Sequence, residues 1–247
     1  MSNLSQFPPV DQRLPLYQRL REQIARQISN GVWGPGEAIP SEAELAEAQD
    51  VAVGTVRRAI QALVEDGLVE KVQGKGTFVR RPNFQSSFLR FLRFHGPGGR
   101  HEVPESRVLF RGALAAPPEV AGKLELPSTT EVIRLDRVRL FDGRPVLSEE
   151  IWLPKARFEA LLALEASDFD PLLYPMYERI CGEIVAFAKE TLTVEAADAG
   201  QAQLLELATG TPIVTIERFA FGYNRKPLEW RRSWAPGATF RYEVEIR

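Results

Sequence analysis

Apolar residues at Leu16, Leu20, Ile24 and Ile28 recur every four positions, a spacing that gathers side chains on one face of a helix. Pro15 stands where a helix opens and Gly31 where one closes, so the pattern predicts a helix over residues 16–30. A second, shorter pattern follows. Ser41 can accept a backbone N–H bond and Glu44, three residues on, can reach back to it, the two halves of a capping box. Leu45, Ala46 and Ala48 form the apolar side of that helix, which ends near Asp50-Val51. From Ala52 a third helix carries Val56, Ala59, Ile60 and Leu63 inward and turns Thr55, Arg57, Arg58 and Gln61 elsewhere. Asp66-Gly67 stops it. Residues 68–72 and 77–80 then read as two strands around Gln73-Gly74-Lys75-Gly76, with a cation at a glycine-flanked tip. Three helices and a two-stranded wing suit a DNA major groove for the third helix and a neighbouring groove or the backbone for the wing.

The remaining two thirds of the chain carry a different pattern, and it occurs twice. Ala115-Ala116 through Leu153-Pro154 matches Ala196-Ala197 through Ala235-Pro236 at an offset of 81 or 82. Leu124 pairs with Leu205, Thr130 with Thr211, Leu135 with Ile216, Arg137 with Arg218, Pro145 with Pro227 and Trp152 with Trp234. Each copy reads as a short helix, a strand, a tight turn (Asp142-Gly143 or Tyr223-Asn224) and a returning strand. Between the copies, residues 171–182 read as a helix and 184–194 as a strand. Two such halves in one antiparallel sheet are expected to form a cleft, or paired clefts, at their junction. Ahead of them, residues 84–94 hold Phe88, Phe91 and Phe94, too many rings for a bare linker, and are expected to pack on the second domain as a strand or short helix. His95-Gly-Pro-Gly-Gly99 breaks the chain. The expected division is 1–81 for the DNA-binding domain, 82–100 for a linker with the first segment of the second domain, and 101–247 for the remainder.

A length of 247 residues suits two modest domains. The net charge of −2 looks unpromising for nucleic acid, but its distribution changes that picture. Residues 1–82 hold ten basic and ten acidic side chains, and six of the basic ones (Arg57, Arg58, Lys71, Lys75, Arg80, Arg81) fall after position 56. A local footprint on the third helix and wing is what phosphate contact requires. Cys181 is the one cysteine, so no intrachain disulfide forms, and with only His95 and His101 a Cys/His zinc site is not expected. The N-terminus has neither the basic start nor the apolar run of a signal peptide, and no uncharged apolar stretch reaches membrane-spanning length. The expectation is a cytoplasmic protein with no cofactor, metal or membrane contact.

The first third resembles the GntR family of bacterial transcription regulators. The resemblance rests on Pro40-Ser41-Glu42-x-Glu44-Leu45, Thr55-Val56-Arg57-Arg58-Ala59, Gly67-Leu68-Val69 and Gly74-Lys75-Gly76-Thr77. It implies that Arg57 grips DNA and that the Gly74-Lys75-Gly76 loop reaches the minor groove. The candidate DNA-facing set is Ser41, Glu42, Val53, Thr55, Arg57, Arg58, Gln61, Gly74, Lys75 and Gly76. Two departures stand out: Ala52-Val53 where the family commonly has Ser-Arg, and Ala43 where some members have arginine. Loss of a bidentate guanine contact removes roughly 1–3 kcal/mol of discrimination at a base pair, and Val53 offers only apolar contact, as to a thymine methyl.

The rest resembles the effector-binding (UTRA) domain of the HutC branch of that family, a fold similar to chorismate lyase. Here the matching residues are Arg137-Val-Arg139, Asp142-Gly143-x-Pro145, Trp152-Leu153-Pro154, Tyr174, Gly210-x-Pro212 and Pro227-Leu228-Glu229. The expected class is therefore α+β: a winged helix-turn-helix followed by an antiparallel-sheet domain with internal duplication.

Arg137 and Arg139 alternate on a strand and share a face with Ile133 and Leu135. Buried guanidiniums require acceptors. Two readings follow: a ligand carboxylate or phosphate, or ion pairs with Glu149, Glu150 or Glu229 inside the sheet. The resemblance implies that Arg137 and Arg139 hold phosphate, that Glu149 binds hydroxyls and that Tyr174 lines the same pocket. A two-residue Asp142-Gly143 turn with simple pairing puts Glu150 on the arginine face instead, and a bulge would restore Glu149. The candidate effector set is Arg137, Arg139, Glu149, Glu150, Tyr174, Glu229 and Arg231, with Arg231 and Arg232 supplying charge from the second copy. A phosphate-binding serine of the family is Leu172 here, and the usual Arg-x-Asp-x-Tyr has become Pro236-Gly-Ala-Thr-Phe240, which argues for a more apolar, anionic effector.

The expected function is a ligand-responsive regulator, most often a repressor in this family, that binds a palindromic double-stranded DNA operator as a homodimer. Two other classes are an enzyme on the chorismate-lyase-like scaffold and a ligand-independent DNA binder. The first lacks any nucleophile elbow, zinc-protease motif or P-loop in the sequence. The second is distinguished by its inertness to metabolites.

Overall fold

The computed structural model describes residues 13–81 and 103–242. The expected strand or helix over 84–94 lies outside them. The chain divides into two compact units between Pro82 and Asn83.

In the first unit, α1 (Leu16–Ser29), α2 (Glu42–Gln49) and α3 (Val53–Glu65) are followed by β1 (Val69–Val72) and β2 (Gly76–Val79). The capping box at Ser41 and Glu44 is present, with both hydrogen bonds formed. Asp50 takes the left-handed conformation that turns the chain from α2 into α3. Leu20, Ile24 and Ile28 of α1 meet Val56, Ala59, Ile60 and Leu63 of α3 in the core. Two expected core positions are corrected. Leu16 and Ala48 are exposed, because each sits at a helix extremity beyond the reach of its neighbour. Arg21 of α1 holds Asp66 at the end of α3, its Nε donating at 2.7 Å, so the packed pair is also pinned by charge. The wing is an antiparallel hairpin with Val72 opposite Gly76, and Ala38 bridges to Phe78 from the other side. Gly74 and Gly76 both have positive φ, which explains why the tip needs glycines.

The second unit is a six-stranded antiparallel sheet in the order β3-β4-β5-β8-β7-β6. Its strands are β3 (Glu105–Ala115), β4 (Glu131–Phe141), β5 (Arg144–Pro154), β6 (Phe187–Ala196), β7 (Pro212–Phe221) and β8 (Pro227–Pro236). Helix α4 (Pro118–Lys123) follows β3, and α7 (Ala199–Leu205) follows β6. The repeat is thus longer than the sequence match indicated. Each half is strand, helix, strand, strand, and the order of strands is palindromic about the β5–β8 junction. The connection between halves carries α5 (Lys155–Phe158), two short 3-10 turns and α6 (Leu173–Cys181).

Both copies contain the same irregularity. Across β4 and β5, Leu140 pairs with Pro145 but Arg139 pairs with Leu147, so Val146 is an extra residue. Across β7 and β8, Phe221 pairs with Pro227 but Ala220 pairs with Glu229, so Leu228 is the extra one. The Asp142-Gly143 turn is tight, with positive φ at both residues. Its counterpart is not the tight Tyr223-Asn224 turn expected but a longer loop between Phe221 and Pro227, with Arg225 at positive φ. One face of the sheet packs α4 and α7: Val120, Ala121 and Leu124 lie on Val132, Trp152 and Trp230, and Ala202 and Leu205 on Ile213. The other, inner face packs α6, whose Leu173, Tyr174, Met176 and Tyr177 lie on Ile133, Leu135, Ile151 and Leu153.

Candidate functional site

On the first unit, the exposed side of α3 begins with Val53, 42% exposed, and continues through Thr55, Arg57, Arg58 and Gln61. These side chains are not equivalent. Arg58 stacks on Tyr17 of α1, its guanidinium carbon 4.6 Å from the ring centroid. Gln61 donates to Glu65 one turn on. Arg57 projects outward from α3, its Nε donating to Glu42 Oε2 at 3.0 Å. The other carboxylate oxygen of Glu42 accepts from Lys71 Nζ of the wing at 2.9 Å. Hydrogen bonds from Lys71 outweigh the modest effect of burial and, with Arg57, hold the Glu42 carboxyl below its ordinary range. Ser41 is engaged in its cap, and Gly74, Lys75 and Gly76 are exposed at the wing tip.

On the second unit, the extra Val146 decides which glutamate faces the arginines. It shifts the register so that Arg137 lies opposite Glu149 and Asp136 opposite Glu150. Cross-strand partners share a face, so Glu149 joins Arg137 and Glu150 does not. Glu150 lies on the opposite face, where it accepts from Trp152 Nε1 and Arg232 Nη2 and pairs with Arg134. The simple hairpin pairing is corrected on this point, and with it the expected contribution of Glu150 and Arg232 to the arginine face.

The inner-face cluster is continuous. Arg137 donates to Glu149, Glu149 accepts from Arg231 Nη1 at 2.8 Å, and Arg231 Nη2 reaches Glu229 at 2.7 Å. Glu229 also accepts from the hydroxyls of Tyr174 (3.1 Å) and Tyr177 (2.8 Å). Arg218, not among the expected site residues, joins through Tyr174 and pairs with Glu190. The repeat carried that signal, since Arg218 is the counterpart of Arg137. Arg139 lies beyond Glu149 and donates to two main-chain carbonyls, Pro171 at 2.5 Å and Pro104 at 3.1 Å. Arg137, Arg139, Glu149, Glu229, Arg218 and Arg231 are all buried.

Burial alone would raise the Glu149 carboxyl, but Arg137, Arg231 and Arg139 outweigh it and hold it well below the usual carboxylate range. Burial would likewise lower Arg231, and its two carboxylate partners reverse the effect. Tyr174 is pushed up to about 12 by burial and then by the charge of Glu229. Arg139 moves the other way. Burial, and then repulsion from Arg137, brings it down to about 9, a fall that Glu149 only partly offsets. Among the described residues, the cluster brings together the guanidiniums of Arg137, Arg139, Arg218 and Arg231 and the carboxylates of Glu149, Glu190 and Glu229. No group of three or more His, Cys, Asp or Glu among the described residues is placed to hold a metal.

Comparison with known proteins matches both units. Residues 16–79 match the bacterial regulatory proteins of the gntR family, and residues 99–241 match the UTRA domain. The chain is 30% identical over 220 residues to the probable fructoselysine utilization operon transcriptional repressor of Escherichia coli (strain K12), covering 86% of this chain and 87% of that one. It is 30% identical over 221 residues to the HTH-type transcriptional repressor NagR of Bacillus subtilis (strain 168), with 89% and 90% covered. Among solved structures, the ligand-binding domain of a GntR-family transcriptional regulator from Bordetella bronchiseptica superposes with a TM-score of 0.56 at 30% identity, covering 68% of this chain and 99% of that one.

Proposed function

The chain belongs to the GntR family of bacterial regulatory proteins, in the HutC-type branch that carries a UTRA domain, and from that membership we propose how its two units divide the work. It is a ligand-responsive, DNA-binding transcriptional repressor rather than an enzyme. The first unit reads double-stranded DNA with α3 and the wing. A single winged helix offers few base contacts, and a homodimer on a palindromic operator doubles them. No helix among the described residues is long and apolar enough to cross a membrane.

The effector is a small anion bound at the Arg137/Arg139 end of the inner face. The observation that carries this reading is geometric: Arg137 and Arg139 alternate on β4 and lie buried on the same face of the sheet, two neighbouring guanidiniums that one carboxylate or phosphate can bridge. Glu149, Glu229 and Arg231 already satisfy one another. Their part is to fix the cluster, with Tyr174 and Tyr177, rather than to supply the principal contact. The departures at Leu172 and 236–240 favour a carboxylate with an apolar body over a polyhydroxylated phosphate. A thermal-shift screen of the full chain against carboxylates and sugar phosphates tests this. Stabilisation by carboxylates, with release of bound DNA, is expected. Stabilisation by uncharged sugars alone would overturn the anionic reading.

A further inference from the structure

The contact between Glu42, Arg57 and Lys71 joins three separate elements at one carboxylate. Glu42 is the first residue of α2, Arg57 lies on the second turn of α3, and Lys71 belongs to the wing strand β1. Both oxygens of Glu42 are engaged, one by each cation. A carboxylate so occupied has little left to offer a base edge, and an unneutralised one near phosphates would only repel. The bond to Arg57 is made through Nε. Among the described residues its two Nη groups have no hydrogen-bond partner, and the side chain is 67% exposed. An arginine held by Nε presents its two Nη groups together, the geometry that fits the O6 and N7 acceptors of guanine. Fixing the side chain before DNA arrives also removes part of the ordering cost of that contact.

We propose that Glu42 is a positioning residue for base readout: it aims the free end of Arg57 at a guanine and, through Lys71, ties the wing to the same point. This rests on the reading that α3 faces DNA, and it moves Glu42 from a DNA contact to a support for one. By the same geometry Arg58, stacked on Tyr17, is a brace between α1 and α3.

The test is selection of duplexes from a randomised library by the full-length protein, comparing the wild type with Arg57→Ala, Glu42→Ala and Glu42→Gln. Arg57→Ala should erase the preference for guanine at one position in each half-site. Glu42→Ala should lose about tenfold of the preference at that same position, while its binding to an unselected duplex is not weakened, since a negative charge has been removed. Glu42→Gln keeps an oxygen to accept from Nε and should retain the preference. If Arg57→Ala loses the guanine and Glu42→Ala keeps it, the positioning role is overturned and the docking stands. Equal weakening of Glu42→Ala on every duplex, or a loss in Glu42→Gln as large as in Glu42→Ala, also overturns it. If Arg57→Ala changes nothing, the docking of α3 falls and the role of Glu42 with it.

Discussion

Replacing Arg139 by methionine should make the unliganded protein more stable and the regulator deaf. The fall of the Arg139 guanidinium to about 9 represents roughly three and a half decades of proton affinity, or roughly 5 kcal/mol at about 1.4 kcal/mol per decade. The sign follows from linkage. Below about 9 the side chain is charged in both the folded and unfolded chain, so the folded state carries the full penalty at neutral pH, and relief comes only as the pH rises above that value. Methionine of similar length removes the charge. It also leaves the carbonyls of Pro171 and Pro104 without their donors, a loss of about 1 kcal/mol each. The net gain is about 3 kcal/mol, which for a unit of this size raises the melting temperature by about 6–12 °C. Differential scanning calorimetry on the unliganded full chain measures the first effect. Operator release by a stabilising carboxylate, which should vanish while DNA affinity is kept, measures the second. A lower melting temperature for Arg139→Met would refute the reasoning, because it would mean the guanidinium is part of what holds the fold together. Unchanged release by ligand would remove Arg139 from the site.

Two further substitutions separate reading from folding. Arg57→Ala, at an exposed position, should weaken operator binding by about tenfold in a gel-shift titration and move stability by no more than about 0.5 kcal/mol; an unaltered affinity would exclude the proposed docking. Glu149→Gln should instead cost about 3–5 kcal/mol in chemical denaturation, because it leaves Arg137 and Arg231 buried without their shared carboxylate. Since the folded-state pKa of Glu149 is depressed, its contribution is complete above the ordinary carboxylate range near 4 and is lost as the pH falls below it. The gap between wild type and Glu149→Gln should therefore narrow only in acid, and a gap that narrowed toward alkaline pH would contradict the assignment.

Period and capping made the first unit legible. Val56, Ala59, Ile60 and Leu63 are buried as their spacing required, and Ser41 and Glu44 cap α2 as their separation required. Orientation of individual polar side chains was less accessible. Nothing in the spacing of Arg57 and Arg58 says that one would stack on Tyr17 and the other rest on Glu42, since both partners come from other elements. In the second unit the repeat fixed which strands correspond, but β3 escaped notice because its exposed, irregular burial pattern hides the alternation. The inner-face glutamate could not be chosen either. A single extra residue inverts the facing of everything beyond it, and Val146 carries no local sign of being that residue.

The pairing of β5 with β8 has a consequence for the symmetry of the two halves. Equivalent residues of β5 and β8 meet at their junction, where Glu150 stands directly opposite its own counterpart, Arg232. Its neighbour Glu149 likewise finds its counterpart, Arg231, as an ion-pair partner. Had both copies kept one residue type at these positions, like charge would confront like charge twice over, once on each side of the sheet. A pair of identical half-units could never escape that conflict, because any change would appear in both. Joined in one chain, the copies are free to take opposite signs, and they have. The seam thereby gives up twofold symmetry for polarity: the first half supplies its carboxylates, Glu149 and Glu150, and the second its guanidiniums, Arg231 and Arg232.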